Sequence, residues 1–345
     1  MTKSKRVRLG LIGCGYVGQE HLRRFSALPH VEFRAVADSN RTRAERASFQ
    51  VGGLAAVYTD PLKLVDEADV NAFLLCVPPF AHGEIERRVG KRGLPLLIEK
   101  PIARDVRTAQ RCAKYFAPDQ LVTVAYNWRY MPHVDKVRGL IARHPPAAFT
   151  AEWKEHIPGG KWWKWMERSG GPVIEQGSHL LDLGRYLLGP VTEVVARAGT
   201  YRKPVNGDVP DLFLASFRFA SGALGQFTHT CLLNRMAHRI GYSVICSGIE
   251  IRGERNGRVE IISDAGREVL EDRDAKPEGG SSYEREAEAF LHAVRTGDRS
   301  RLRCSYGDAI ESIRLAEAVC RAARTGRTVT LRPPRSDLGA HGALL

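Results

Sequence analysis

Val7-Arg8-Leu9-Gly10-Leu11-Ile12, running straight into Gly13-Cys14-Gly15-Tyr16-Val17-Gly18, is the stretch that decides how this chain folds. An apolar run of strand length meets a G-x-G-x-x-G turn, and Gly18 to Leu28 beyond it has helical length and composition. A strand that ends in such a turn and opens a helix leaves backbone N–H groups facing the place where a pyrophosphate can sit. Asp38 closes the next apolar run, Phe33 to Ala37. It falls about twenty residues beyond the last glycine, where a carboxylate can accept hydrogen bonds from an adenosine ribose.

Outward from that turn, strand-length runs recur at Ala55 to Tyr58, Val70 to Val77, Pro95 to Ile98 and Leu121 to Ala125. Helical stretches separate them at Arg41 to Phe49, Ala81 to Arg92 and Val106 to Phe116, with Asp60 and Asp105 as candidate caps. This alternation predicts a parallel α/β sheet of the Rossmann type over residues 1–126. After Asn127 and a helical stretch at His133 to Arg143, strand alternation takes over. It runs through Ala148 to His156, Thr192 to Tyr201, Leu212 to Phe219, Ala223 to Leu232, Tyr242 to Arg252 and Arg258 to Ser263, with turns at Ser221-Gly222 and Asn256-Gly257. Helices are expected at Gln176 to Leu188, Ser282 to Thr296 and Ser305 to Thr325. Residues 127–332 therefore read as a second α/β domain with a large, open, mostly antiparallel sheet, and 333–345 as a loose tail.

Composition excludes several classes. The 345 residues are 43% hydrophobic and 26% charged, an ordinary globular profile. No apolar run reaches the length of a membrane helix, and the basic start Lys3-Ser4-Lys5-Arg6 leads into a strand rather than a signal-peptide core, so a soluble cytoplasmic protein is expected. Seven cysteines without a C-x-x-C pair fit neither a zinc site nor a disulfide framework, and no metal is expected. The net charge of +13 comes from Lys and Arg spread along the whole chain, without the concentrated arm or aromatic platform of a nucleic-acid binder.

Two further clusters carry chemistry. Leu74-Leu75-Cys76-Val77-Pro78-Pro79-Phe80-Ala81-His82 and Ile98-Glu99-Lys100-Pro101 end neighbouring strands, on the edge where open parallel sheets bind ligands. Lys100 there is either a donor to a substrate oxygen or a lysine paired with Glu99; His82 either meets a cofactor or caps the helix after it. In the run from Gly170 to Asp182, Glu175, His179 and Asp182 stand at i, i+4 and i+7. On a helix they share a face, with Gly177 allowing close approach of a backbone or ligand. An imidazole oriented by a carboxylate suits proton transfer from a hydroxyl, and the alternative is a capping Glu with a buried structural His.

The glycine turn, Glu99-Lys100-Pro101 and Gly177-Ser178-His179-Leu180-Leu181-Asp182, in this order and spacing, resemble the Gfo/Idh/MocA family of oxidoreductases over roughly residues 6 to 330. Tyr126-Asn127-Trp128-Arg129-Tyr130 looks like the family's junction segment, and Tyr283, Glu286 and Phe290 its late Y-x-x-E-x-x-x-F helix. The resemblance implies NAD-dependent oxidation of a sugar or polyol hydroxyl, with NADP as a possible second cofactor, in a homodimer or homotetramer. Lys100 and His179 match its catalytic positions, with Glu175 as the partner of His179. Many members have Asp where this chain has Glu175.

The dinucleotide would be held by Gly13, Gly15, Tyr16, Val17, Gly18, Asp38, Ser39, Arg43, Cys76, Pro78, His82, Glu99 and Lys100, and Arg41 or Arg43 could reach a 2′-phosphate. Arg129, Trp162, Trp163, Trp165 and Tyr283 are candidate substrate contacts, the tryptophans alternatively serving as packing. Two rival functions go with the same resemblance: an NAD-dependent glycoside hydrolase and a non-catalytic dinucleotide sensor or repressor. Retention of both Lys100 and His179 argues against the sensor.

Overall fold

The computed structural model describes residues 6–202, 207–234, 236–272 and 281–332, so the expected tail at 333–345 lies outside the described residues. Six strands open the chain: β1 (Val7–Ile12), β2 (Val31–Ala37), β3 (Ala56–Tyr58), β4 (Ala72–Leu75), β5 (Leu96–Glu99) and β6 (Val122–Ala125). They form one parallel sheet in the order β3-β2-β1-β4-β5-β6. β4 and β5 are buried at every position, because crossover helices cover a parallel sheet on both faces. The strand order reverses between β1 and β4, which puts the glycine turn and Cys76 side by side at the switch point where such sheets bind nucleotides.

Local chemistry sets the crossovers. Asn40 caps the helix Arg41–Gln50 by accepting from the Arg43 N–H at 3.1 Å. Asp60 caps a helix at Pro61–Glu67 by accepting from the Leu62 N–H at 2.9 Å, with Pro61 in the first turn. That helix goes beyond the expectation, which had the cap without the element; at seven residues it carries too little periodicity to be read. The stretch from Val70 to Val77 keeps only its middle as strand.

The chain forms two compact units. Among the described residues, the first joins 6–103 and Arg107–Tyr130 to a later piece, Tyr283–Ala309. The second holds Arg104–Val106 and the described residues of 131–282 and 310–332. The units are thus discontinuous where the sequence suggested two successive segments. The reason is apolar: Ala287, Phe290, Leu291 and Ala293 on the helix Ser282–Thr296 join the core of Leu9, Leu22 and Phe25, with Phe25 and Phe290 edge-to-face at 6.3 Å.

The second unit is built on nine strands: β7 (Pro146–Lys154), β8 (Val191–Gly199), β9 (Leu212–Phe219), β10 (Leu224–Thr230), β11 (Arg239–Cys246), β12 (Ile249–Glu254), β13 (Val259–Ser263), β14 (Gly266–Leu270) and β15 (Val329–Thr330). Their order is β14-β13-β12-β11-β7-β10-β9-β8-β15, with only β7 and β10 parallel. The expected single strand Tyr242 to Arg252 is in fact a hairpin: Cys246 pairs with Ile249, and Gly248 takes a φ of +72° between them. β14 escaped the sequence reading because Arg267 and Glu268 give it an exposed, polar pattern, a common way of blunting a sheet edge.

The helix Ser178–Leu188 lies on one face of this sheet. A Cβ on Gly177 would come within 2.7 Å of the Phe227 ring, and one on Gly184 within 2.8 Å of Phe149. Two glycines therefore let the helix approach β10 and β7 closely. The helix starts at Ser178 rather than Gln176, because Val173–Gly177 forms a wider π-helical turn.

Candidate active site

Each glycine of the first turn has its own steric reason. Gly13 has a φ of +92°, and a Cβ there would lie 2.1 Å from the Cys76 carbonyl oxygen. A Cβ on Gly18 would lie 2.0 Å from the Gly13 carbonyl oxygen. These two permit strand and helix to meet. Gly15 differs: a Cβ on it would meet nothing within 4 Å. Gly15 is also the N-cap of the helix Tyr16–Ser26, which has no side-chain cap and no acidic residue in its first turn. The turn therefore presents open space against uncapped N–H groups, and the residues fit a dinucleotide pyrophosphate.

Asp38 is buried at the end of β2. Its Oδ2 accepts from the Cys14 N–H at 2.9 Å; its Oδ1 accepts from the Asn40 N–H at 2.8 Å and from Arg43 Nη2 at 2.8 Å and Nε at 3.1 Å. The hydrogen bond to Asp38 holds the Arg43 guanidinium above its ordinary range. Arg41 pairs with Glu45 at 2.8 Å. Both arginines considered for a 2′-phosphate are thus engaged with carboxylates, whereas Oδ2, with one donor among the described residues, has room for a ribose hydroxyl. Of the other expected dinucleotide contacts, Ser39 and Tyr16 are exposed, and Val17 and Pro78 are half-buried. Burial pushes the Cys14 thiol up to about 12 and raises Cys76 strongly, so both stay neutral.

Glu99 and Lys100 end β5. Glu99 is buried; its Oε1 meets His21 Nε2 at 2.6 Å and its Oε2 accepts from the Lys100 backbone N–H at 3.0 Å. The Glu99 carboxylate thus anchors the strand end that carries Lys100. His21, on the first helix and 78 positions from Glu99 in sequence, was not foreseen. Tyr283 packs edge-on to His21 at 5.9 Å and under Arg24 at 4.3 Å, beside the same anchor. Glu286 is buried one turn further along, with neither carboxyl oxygen hydrogen-bonded among the described residues. Burial, and then the Glu99 carboxylate, push its carboxyl well above the usual range against Arg24.

His82 is buried beside the helix that follows, whose cap is made by Glu86 and not by His82. Its Nδ1 meets Glu86 Oε1 at 2.5 Å, while Glu86 Oε2 accepts from the Gly83 N–H at 2.7 Å, closing the start of the helix Glu84–Arg92. Arg129 is a correction. It is buried, with Nη1 donating to the Arg303 carbonyl at 2.7 Å and paired with Asp308, so its guanidinium is committed to structure and is not carried forward as a substrate contact.

The second unit holds the remaining candidates. His179 is buried in the first turn of its helix, and its ring is stacked on Trp153, centroids 5.7 Å apart and planes 8° from parallel. Glu175 lies in the π-helical turn and accepts from Trp163 Nε1 at 2.7 Å. Trp163 is therefore buried and holds Glu175, Trp162 is half-buried, and Trp165 is exposed ahead of the short helix Met166–Ser169. Asp182, the third member of the i, i+4, i+7 set, is fully buried and accepts from Ser312 Oγ at 2.5 Å. Among the described residues no group of three or more His, Cys, Asp or Glu is placed to hold a metal, and no helix is long and apolar enough to cross a membrane.

A Rossmann sheet with this glycine turn and acid defines a dinucleotide-binding α/β protein. A sequence model described as "Oxidoreductase family, NAD-binding Rossmann fold" matches residues 7–127, and one for the GFO/IDH/MocA C-terminal domain matches residues 143–255. The chain belongs to the Gfo/Idh/MocA family of NAD-binding oxidoreductases. It is 26% identical over 348 residues to inositol 2-dehydrogenase of Rhizobium meliloti, covering 94% of this chain and 99% of that one. It is 28% identical over 353 residues to inositol 2-dehydrogenase of Streptomyces avermitilis, covering 97% of each. Its fold matches levoglucosan dehydrogenase in complex with NADH and levoglucosan at a TM-score of 0.84, with 21% identity and coverage of 94% of this chain and 99% of that one.

Proposed function

We propose that this protein uses NAD to interconvert a secondary alcohol and the corresponding carbonyl on a sugar, inositol or related polyol. One observation carries the reading: a chain with a complete dinucleotide turn also keeps a lysine at the end of β5 and a histidine at the start of a buried helix, the two groups that alcohol oxidation needs. The relatives named inositol 2-dehydrogenase and the levoglucosan dehydrogenase fold point to the same substrate class.

When bound, the nicotinamide supplies the hydride acceptor or donor. Gly13, Gly15 and Gly18 would hold the pyrophosphate and Asp38 the adenosine ribose. His179 takes the hydroxyl proton, an imidazole being suited to that transfer near neutral pH. Lys100, at the end of β5, is assigned to steady the charge that develops on the reacting oxygen. Glu175, fixed by Trp163, supports His179 from the preceding turn. Trp162, Trp165 and Tyr283 remain the candidates for facing a sugar ring. The same reading gives a cytoplasmic protein, active as a homodimer or homotetramer and without nucleic-acid partners. The exposed Val195, Leu214, Leu224 and Ile245 on the nine-stranded sheet favour self-association.

A panel of inositols, sugars and sugar acids, followed by NADH absorbance with product release in parallel, tests the reading. Net NADH from an unmodified polyol supports it; release of free sugar without net NADH would make the protein a glycoside hydrolase instead. Lys100→Met and His179→Ala are each expected to lower kcat about 10²- to 10⁴-fold while leaving the Kd for NAD within a factor of a few. Near-normal kcat in His179→Ala would sink the assignment of the proton acceptor.

A further inference from the structure

The side chain of His179 is held by a framework that the family assignment leaves without a role. Its neighbour Trp153, on β7, is buried, and its indole Nε1 donates to Glu155 Oε2 at 3.1 Å. The same oxygen accepts from Gln176 Nε2 at 3.4 Å, and Glu155 Oε1 pairs with Arg255 at 3.5 Å. At its other end the Gln176 amide oxygen meets His229 Nε2 at 3.1 Å. Burial drives His229 down to about 3, so this imidazole is neutral, and facing an amide oxygen it carries its proton on Nε2 and donates. His229 lies directly across from Trp153 in the β7–β10 pairing.

A closed chain therefore runs from β10 through His229, Gln176 and Glu155 to the Trp153 indole on β7. Gln176 also belongs to the turn that delivers His179 three residues later. A helix backbone fixes where the His179 ring begins, but the last torsion of a histidine side chain is broad and roughly two-fold. A flat aromatic face lying 8° from parallel restricts that torsion. Proton transfer in turn needs a ring nitrogen within about 2.6–3.2 Å of the hydroxyl oxygen.

We propose that Trp153 is a positioning residue for His179, its indole face setting the plane of the imidazole and its Nε1 bond to Glu155 keeping the platform in place. The proposal rests on His179 being the proton acceptor. It assigns Trp153, Glu155, Gln176 and His229 a part in the reaction without contact with substrate or cofactor.

The test compares Trp153→Leu, which removes the aromatic face, with Trp153→Phe, which keeps it and loses the indole N–H, in the full chain at saturating NAD and polyol. Trp153→Leu is expected to lower kcat about 10- to 100-fold with the KM for NAD within twofold, since misplacing a reacting group by about an ångström costs that much. Trp153→Phe is expected to recover most of the loss. NMR of histidine-labelled protein, with the His179 ring protons assigned through His179→Gln, gives a readout independent of turnover. The stacked ring should be shifted upfield by the indole, the shift lost in Trp153→Leu and largely kept in Trp153→Phe.

Unchanged kcat in Trp153→Leu once the upfield shift has gone would overturn the proposal, and so would equal losses in both variants. Should Trp153→Leu not fold, Trp153→Met, which also removes the aromatic face, takes its place, with a loss of kcat and loss of the upfield His179 shift expected together and either one alone counting against. If His179→Ala retains full activity while the upfield shift is present, the assignment of His179 has failed and the stack remains as packing.

Discussion

Asp38 shows how one side chain sets cofactor choice. Four N–H groups already converge on its two oxygens, two of them from Arg43. A 2′-phosphate would have to displace that guanidinium and sit against a carboxylate, a like-charge contact, whereas a ribose hydroxyl needs only the open side of Oδ2. We expect kcat/KM to favour NAD over NADP by at least about tenfold, and Asp38→Ser, which frees Arg43, to narrow the ratio by about as much. A wild-type preference for NADP would show that Arg43 leaves Asp38 when the cofactor arrives. Two other buried groups write opposite pH dependences into stability. His229 has a folded value near 3 against an ordinary 6.5, so between the two the unfolded chain binds a proton that the folded chain refuses. Stability is lost as pH falls through that window, by up to about 1.4 kcal/mol per pH unit. Glu286 runs the other way: held neutral when folded, it gives up its proton on unfolding above about pH 4.5, so its contribution is lost as pH rises. Urea denaturation at pH 5 and pH 8 should show Glu286→Gln gaining on the wild type as pH rises; a gap independent of pH would mean Glu286 is ionised in the folded protein.

The strand–turn–helix element separates stability from binding within six residues. Gly18→Ala puts a Cβ 2.0 Å from a backbone oxygen, which only a shift of helix against strand relieves, at a cost of about 1–3 kcal/mol. Gly15→Ala meets open space, and its φ of −71° suits any residue, so stability should stay within about 0.5 kcal/mol. The same methyl group stands where a pyrophosphate would approach, and the Kd for NAD should rise about tenfold or more. Thermal melts with and without NAD check both, and equal loss of apo stability in the two variants would refute the division of roles. This element was legible in sequence because glycine spacing and strand burial are local signals. So were the Asp60 cap and the turns at Gly222 and Gly257, whose positive φ values only glycine adopts without strain. The β11–β12 hairpin carries at Ser247-Gly248 the same turn dipeptide as Ser221-Gly222, but apolar residues flank it closely on both sides and read as one strand; Pro61–Glu67 is too short to show a period, and β14 is polar and exposed. The partners of site residues were hidden for another reason. His21 with Glu99, Arg129 with Asp308 and Trp153 with His179 are distant in sequence, and no periodicity in one chain announces such a pair. An arginine next to aromatic residues reads equally well as a sugar contact or as the buried ion pair that it is.

Across the whole chain, the excess of 52 Lys and Arg over 39 Asp and Glu invites a nucleic-acid reading that the distribution of charge opposes. Arginines in both units are spent on carboxylates close by: Arg8 on Asp69, Arg24 on Glu20, Arg41 on Glu45, Arg252 on Glu250, Arg314 on Glu311. Such pairs contribute little to stability at the surface, but each cancels the local field that would attract a phosphate backbone. What is left is a diffuse positive charge. Its attraction should fall steeply as salt rises, because binding that rests on counterion release has no sequence-specific part to survive screening. Titrating labelled duplex DNA, single-stranded DNA and RNA at about 0.15 M salt should therefore give Kd values no tighter than about 10⁻⁶ M, equal for unrelated sequences, with tighter binding only at low ionic strength. Sub-micromolar affinity for one sequence at that salt would mean that the charge serves a partner, and that the pairing of arginines with carboxylates is broken on binding.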